Sequence, residues 1–452
     1  MNSIRFFKAP RETENLLTLS EKKMLPFLID AAKGVDKIFR LQENQINNGA
    51  NFYPRDAIKG EIESAAKDDP EIFSPFTVVK RDENNKLRAL YYHEEYKSLL
   101  KPIAESIKKA AKIAQNKSLK KYLETLSTSL LDGSYEKIDK AWLGVKESNL
   151  DVVIGPYERY MDRLFFIKKA YQGSVSIIDK KNTQRALKIR DILYYSIVDK
   201  PRRVIPPSIV EVRAEHPLIF SGFLGKVLFT QQHLPCDSEV TEKYGSRILG
   251  YLTSLEYKFE KLIYPIFNAV FEKAFKERYT KKLIRQGSYY HILLHGIVQN
   301  LHRYKGSRTR LRELFPIYDE ANTVASGIQY AKHLVLKGVI DQKELEAIMI
   351  AQICWIFSEL VYARRTSARE VYLKGDALIF NFLKAEGALQ EKNGIYWPNF
   401  AKMFFEMENL ASIFTRILEE GSYSEANSFL NKYLSLEPLK SFNTRLSKIQ
   451  LT

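Results

Sequence analysis

Sulfur chemistry is nearly missing from this chain: 452 residues hold two cysteines, Cys236 and Cys354. Two thiols make no disulfide framework, and such sparing use suits a reducing compartment, so a cytoplasmic protein is expected. Long hydrophobic runs are missing too. The longest mainly apolar stretch, Ala347 to Phe357, is too short to span a bilayer. The opening MNSIRFFKAPRETENLL lacks an extended apolar segment and a small-residue cleavage site, so no secretory signal is expected. There is no internal repeat and no low-complexity segment. Acids are in deficit, 54 Asp and Glu against 70 Lys and Arg, for a formal charge of +16. Lysine pairs recur at Lys22–Lys23, Lys108–Lys109, Lys120–Lys121, Lys168–Lys169, Lys180–Lys181 and Lys281–Lys282. Scattered in this way they read as solvated helix faces rather than as a nucleic-acid footprint. A basic surface still favours an acidic substrate or partner.

What is present is core-forming material. Hydrophobic residues make up 45% of the chain and aromatics 12%, ample for two or three domains or one large two-lobed enzyme. A helical run opens at Leu19-Ser20-Glu21, with Ser20 as its expected N-cap. FTVVKRD and LRALYYH flank Glu83-Asn84-Asn85-Lys86 and predict a hairpin over 76–92. Two amphipathic helices follow between His93 and Ser129, broken near Asn116-Lys117-Ser118, and Trp142 sits in a further short helix. DVVIGPYE, SVSIID, IVEVRA and PLIFSGFLGKVLFTQQ predict strands, with a helix over Gln184–Ile197 and a loop over Pro201–Pro207. From Val240 onward the 3.6-residue period predicts helix almost throughout. The layout is α+β and predominantly α: a mixed part with a β-rich lobe over 1–239, and a helical part over 240–452, the two interwoven.

Gln286 to Tyr330 carries the densest chemistry. His291 and His295 lie four residues apart in an apolar helical run and so project from one face. Downstream, Ile317, Ala321, Val324 and Ile328 form a core stripe, and Glu320 falls beside it. A carboxylate aimed at a core is costly unless paired or metal-bound. Two imidazoles on one helix and a Glu on the next match the ligand set of a zinc peptidase. Such peptidases read H-E-x-x-H, the Glu being the general base. Here that position is Ile292, which cannot accept a proton. The bland alternative is a pair of hydrogen-bonded core histidines.

GANFYP (49–54), FTVVKRD, YYHEEY (91–96), SLKKYL, DVVIGPYERYMD, HLPCD, HILLHG, IYDEANTV and FNFLKAEGAL occur in an order and spacing that resemble the dipeptidyl peptidase III family. The resemblance is to its shorter bacterial branch, fused in plants to a nudix domain, and runs from about Leu19 to Tyr433. It implies a zincin-like fold of two lobes around a cleft, one lobe containing a β-barrel and the other, helical, holding zinc. It places the metal ligands on His291, His295 and Glu320, and a supporting acid on Asp319. The family's catalytic Glu falls on Ile292, the last acid of its downstream motif on Val324, and its transition-state histidine on Tyr372. Its substrate-binding I-G-x-x-E-[TS]-Y element is matched at Ile154, Gly155, Glu158 and Tyr160, with Arg159 at the Ser/Thr position. The N-L-P-N loop reads His233-Leu234-Pro235-Cys236.

The ligands and the Glu158/Tyr160 pair are retained, while the base and the peptide-gripping amides are gone. General-base catalysis supplies about 10²–10⁴-fold, so peptide hydrolysis is expected to be negligible. Two His and one carboxylate without a base also form the facial triad of non-haem iron enzymes. The favoured expectation is therefore a divalent metal, iron or zinc, serving a different reaction on a small or acidic substrate in the cleft. The alternatives are a catalytically dead binding protein, and a residual hydrolase using Glu158 or Asp319 as base. Lesser candidates are His302, which could face the same cleft; His233, as a substrate contact or acid/base; and Cys236, with nothing nearby to activate it.

Overall fold

Why the first half folds as it does is clearest at its buried strands. The computed structural model describes residues 3–44, 46–197, 210–301, 304–363, 369–440 and 446–449. His302 and the Pro201–Pro207 loop lie outside the described residues. Strand β1 is Arg5–Phe6; β2 (Thr77–Arg81) and β3 (Leu87–Tyr91) form the expected antiparallel hairpin. β4 (Leu150–Glu158) and β5 (Ala170–Ile178) pair from Leu150↔Ile177 to Glu158↔Ala170. Every residue of both is buried, which is why their sequences show little polar alternation. β6 (Val210–Gly222), β7 (Gln231–Leu234) and β8 (Ser246–Tyr251) complete a six-stranded sheet. Its order is β4-β5-β6-β8-β7, with β1 also on β6.

Three expectations are corrected here. IVEVRA and the start of PLIFSGFLGKVLFTQQ form one strand, not two. β6 runs through Pro217 because its register slips there, Ile219 facing Val175 and Pro217 facing Ser176; a bulge is where a strand tolerates a residue without N–H. The strand stops at Gly222, whose φ is 58°, and Phe223–Val227 is helical. Ser246–Tyr251, within the stretch whose period predicts helix, is instead a strand, set off by Gly245 at φ 87°. Finally, Thr18 rather than Ser20 caps the Leu19–Gln42 helix. Its hydroxyl accepts from the Glu21 amide (3.2 Å), and the Glu21 carboxylate accepts from the Thr18 amide (2.9 Å), a reciprocal capping box. Ser20 instead donates to the Ile113 carbonyl (2.7 Å), tying this helix to the end of the Lys97–Ile113 helix.

The chain divides into two compact units, Met1–Thr183 with Arg213–Ser254, and Gln184–Val212 with Leu255–Thr452. The first contains the sheet. The Leu19–Gln42 helix packs on β5 and on the Lys97–Ile113 helix, which packs in turn on the Lys117–Asp132 helix. Gln172 of β5 and Gln232 of β7 are hydrogen-bonded (3.1 Å). These strands are three apart in the sheet order, so the sheet is curled.

The second unit is built on helices Lys281–Leu301, Phe315–Leu336, Gln342–Ala363, Glu370–Ala385 and Phe400–Glu419. Lys281–Leu301 packs on both Phe315–Leu336 and Gln342–Ala363. At one crossing a Cβ on Gly287 would stand 2.3 Å from the Ala347 carbonyl oxygen, so glycine sets how closely these helices approach. A short hairpin, β9 (Leu389–Lys392) and β10 (Ile395–Pro398), interrupts the helices. It turns at Asn393 and Gly394, both with positive φ, the conformation such two-residue turns require. Among the described residues no helix is long and apolar enough to cross a membrane.

Candidate metal centre

Glu320 lies on the Phe315–Leu336 helix, whose apolar stripe Ile317, Ala321, Val324 and Ile328 is buried. The same geometry buries Glu320, which is 6% exposed. Its Oε2 lies 3.4 Å from Nε2 of His295. That atom receives no hydrogen bond, so the contact is a close approach without hydrogen-bond alignment. A buried carboxylate oxygen lacking a donor is unfavourable on its own, and a cation would relieve it.

His291 sits one turn earlier. Four residues advance the helix by more than a full turn, so His291 and His295 share a stripe but not one azimuth. His291 stacks on Trp355 of the Gln342–Ala363 helix, with ring centroids 6.2 Å apart and planes inclined by 29°. Burial, with a lesser contribution from His295, pushes its pKa down to about 3. It is therefore a neutral imidazole at neutral pH, the form that binds metals. Ile292 is half-buried between the two. Asp319 is half-buried beside Glu320 in sequence.

A metal ion is thus tested against the donors present. In type, in the orphaned Glu320 oxygen and in the neutrality of His291, they suit a divalent ion. In position, His295 and Glu320 converge, but among the described residues no three His, Cys, Asp or Glu side chains gather closely enough to hold one. Trp355 is the neighbour that the sequence did not disclose: it occupies the face of His291.

Further acids surround this locus. Arg369 makes a two-pronged ion pair with Glu359, and its guanidinium lies 3.8 Å from the Tyr372 ring centroid. Burial, reinforced by Glu359, pushes the Asp376 carboxyl well above the usual range; Glu320 contributes in the same direction. Asp376 was not singled out in the sequence, although it lies one helical turn beyond Tyr372.

The remaining candidates belong to the other unit. Glu158 ends β4, is buried, and accepts from Gln232 Nε2 (2.6 Å). Tyr251 in turn donates to Gln232 Oε1 (2.8 Å). Tyr160 stacks on Phe223 (6.4 Å) and meets Phe229 edge-on (6.2 Å). Arg159, in place of a small hydroxyl residue, pairs with Asp237, which also takes Lys169. Against the push of burial these two cations hold the Asp237 carboxyl below its ordinary range. His233 lies in β7 opposite Ile248. Burial drives the Cys236 thiol well up, so it is no nucleophile.

A curled sheet in one unit and an H-x-x-x-H helix beside a buried Glu in the other define a protein with the architecture of a zincin-like peptidase. Residues 49–193 match the model of peptidase family M49. The structure is similar to that of DPP III from Caldithrix abyssi, with a TM-score of 0.84, 25% identity, and 98% and 95% of the two chains covered. Dipeptidyl-peptidase III from Corallococcus sp. strain EGB gives 0.84, 21%, 98% and 93%. In sequence the chain is 26% identical to Nudix hydrolase 3 of Arabidopsis thaliana over 444 residues, 89% of this chain. It spans about half, 56%, of that relative's length. The resemblance to the dipeptidyl peptidase III family therefore holds, in the branch that includes a nudix-named plant relative, and the fold is α+β and predominantly α as expected. The family-model match ends at residue 193, before the segment that carries His291, Ile292, His295 and Glu320.

Proposed function

We propose that this protein binds a divalent metal on a dipeptidyl peptidase III-like fold and does not cleave peptides. The metal would serve another reaction on a small molecule. Two observations support this together: Ile292, a hydrocarbon residue that lies between His291 and His295 in the sequence, and a buried Glu320 oxygen near His295 that lacks a hydrogen-bond donor. His291, His295 and Glu320 would hold the ion, iron or zinc. When bound, such an ion supplies Lewis acidity, or electron transfer if it is iron. Ile292, at the position of a general base, would offer no acceptor for a proton. In the sheet-bearing unit, Glu158 is engaged by Gln232, and Arg159 by Asp237. Both are thereby drawn away from gripping a peptide terminus.

A second reading, a catalytically dead binding protein, is favoured by one observation: no three ligating side chains gather among the described residues. One experiment separates the two. Untagged protein is purified, its metal content measured, and His295→Ala and Glu320→Ala treated alike. Near-stoichiometric iron or zinc in the wild type, lost in both variants, supports the first reading. The same trace in all three overturns it and leaves the second.

A further inference from the structure

The lysine pairs that look scattered along the chain are brought together by the fold. Between Ser106 and Leu123 there are six lysines and no acid: Lys108, Lys109, Lys112, Lys117, Lys120 and Lys121. They occupy the end of the Lys97–Ile113 helix and the start of the Lys117–Asp132 helix, which pack together. All six are exposed. The Ser20–Ile113 hydrogen bond brings the start of the Leu19–Gln42 helix, with exposed Lys22 and Lys23, to this corner. On its other side, Asn116 and Ser118 both donate to the Lys146 carbonyl (2.9 and 3.0 Å), which adds another exposed lysine. Among the described residues none of these lysines makes an ion pair. The exposed acids in the flanking turns are Glu12, Glu105, Glu124 and Glu147. Glu21 is buried and engaged by Thr18 and Asn149.

Two apolar side chains lie beside this patch. Leu19, 70% exposed, precedes Lys22 and Lys23 by three and four residues and so shares their helix face. Leu16, 48% exposed, is held by Asn149, whose amide donates to its carbonyl (3.0 Å). We propose that this corner of the sheet-bearing unit, with its lysines around Leu16 and Leu19, docks on the surface of an anionic phospholipid bilayer.

Clustered lysines are attracted to acidic headgroups, and exposed leucines enter the boundary between headgroup and acyl chain. Three features separate this from nucleic-acid binding. The patch contains no arginine, the residue suited to forked phosphate recognition. Its aromatic, Tyr122, is buried with its hydroxyl bonded to the Val152 carbonyl, so no ring is offered to a base. The exposed leucines have no counterpart on a phosphate backbone. This inference is independent of the metal centre, which lies in the other unit.

The test is sedimentation of the full chain with vesicles of phosphatidylcholine containing about 30% phosphatidylserine, and with phosphatidylcholine alone. Binding to the acidic vesicles only, falling steeply between about 50 and 300 mM salt, is expected. Charge reversal of Lys108, Lys109, Lys120 and Lys121 to Glu should weaken it by at least about tenfold. Leu19→Ser should weaken it several-fold, and reversal of exposed Lys180 and Lys181 should leave it unchanged. Equal binding of the wild type and the fourfold variant overturns the proposal. So does a short DNA duplex that binds more tightly than the vesicles and is indifferent to Leu19→Ser, which would assign the patch to nucleic acid. Circular dichroism of each variant shows whether it is folded.

Discussion

Lowering the pH should destabilise this protein through a single imidazole. His291 has a pKa of about 3 when folded, against 6.5 as its ordinary value. Between those values the unfolded chain binds a proton that the folded chain refuses. The stability that His291 allows is therefore complete above pH 6.5 and is lost as pH falls towards 3. Going from pH 7 to pH 5 leaves the folded imidazole neutral while nearly all of the unfolded one protonates, which costs about 2 kcal/mol. Urea unfolding of chelator-treated protein, followed by circular dichroism at both pH values, measures it. His291→Gln, which does not titrate, should shed that part of the pH dependence while losing stability at pH 7 from poorer packing on Trp355. Parallel pH slopes for wild type and variant would refute the reasoning, since they would show that His291 is solvated in the folded protein. Repeating the titration with added zinc extends it. The folded ring is neutral at both pH values, so the part of any metal stabilisation that rests on His291 should be the same at pH 7 and at pH 5.

Two other expectations concern the same helices. Ile292→Glu restores a proton acceptor; if His291, His295 and Glu320 hold zinc, chelator-sensitive release from a dipeptidyl-naphthylamide should rise by about 10²-fold or more over wild type. Wild-type turnover already at that level would contradict the proposed loss of peptidase chemistry. Arg369→Ala leaves the Glu359 carboxylate buried without its guanidinium, and should cost about 3–5 kcal/mol in denaturant unfolding, whereas Arg369→Met with Glu359→Gln should cost clearly less; equal losses would mean that the ion pair is not the cause.

Much of this architecture is legible in the sequence wherever a local rule decides. The β2–β3 hairpin follows from β-branched residues around a polar turn, and Glu320 is placed beside its apolar stripe by helical period alone. The misses are residues whose neighbours come from far along the chain. β8 reads as helix because six residues, several of them helix-compatible, cannot reveal that Leu234 and Arg247 will stand opposite each other. Spacing puts His291 and His295 on one stripe, but only packing shows that the first faces Trp355 and the second Glu320. Ser20 offers as good a cap as Thr18; what decides is the Glu three residues after Thr18. The lysine pairs are scattered by position and gathered by two side-chain hydrogen bonds, at Ser20 and at Asn116, which no pattern of charge announces.

Gly287 lies four residues before His291, on the same helical stripe. Because its bare backbone rests against the Ala347 carbonyl, it acts as an index mark that fixes the rotational setting of the helix relative to its neighbour. Any side chain there would lever the two backbones apart, and both imidazoles would swing with them. The aim of the histidines is thus governed from one turn upstream, at a position that carries no chemistry of its own.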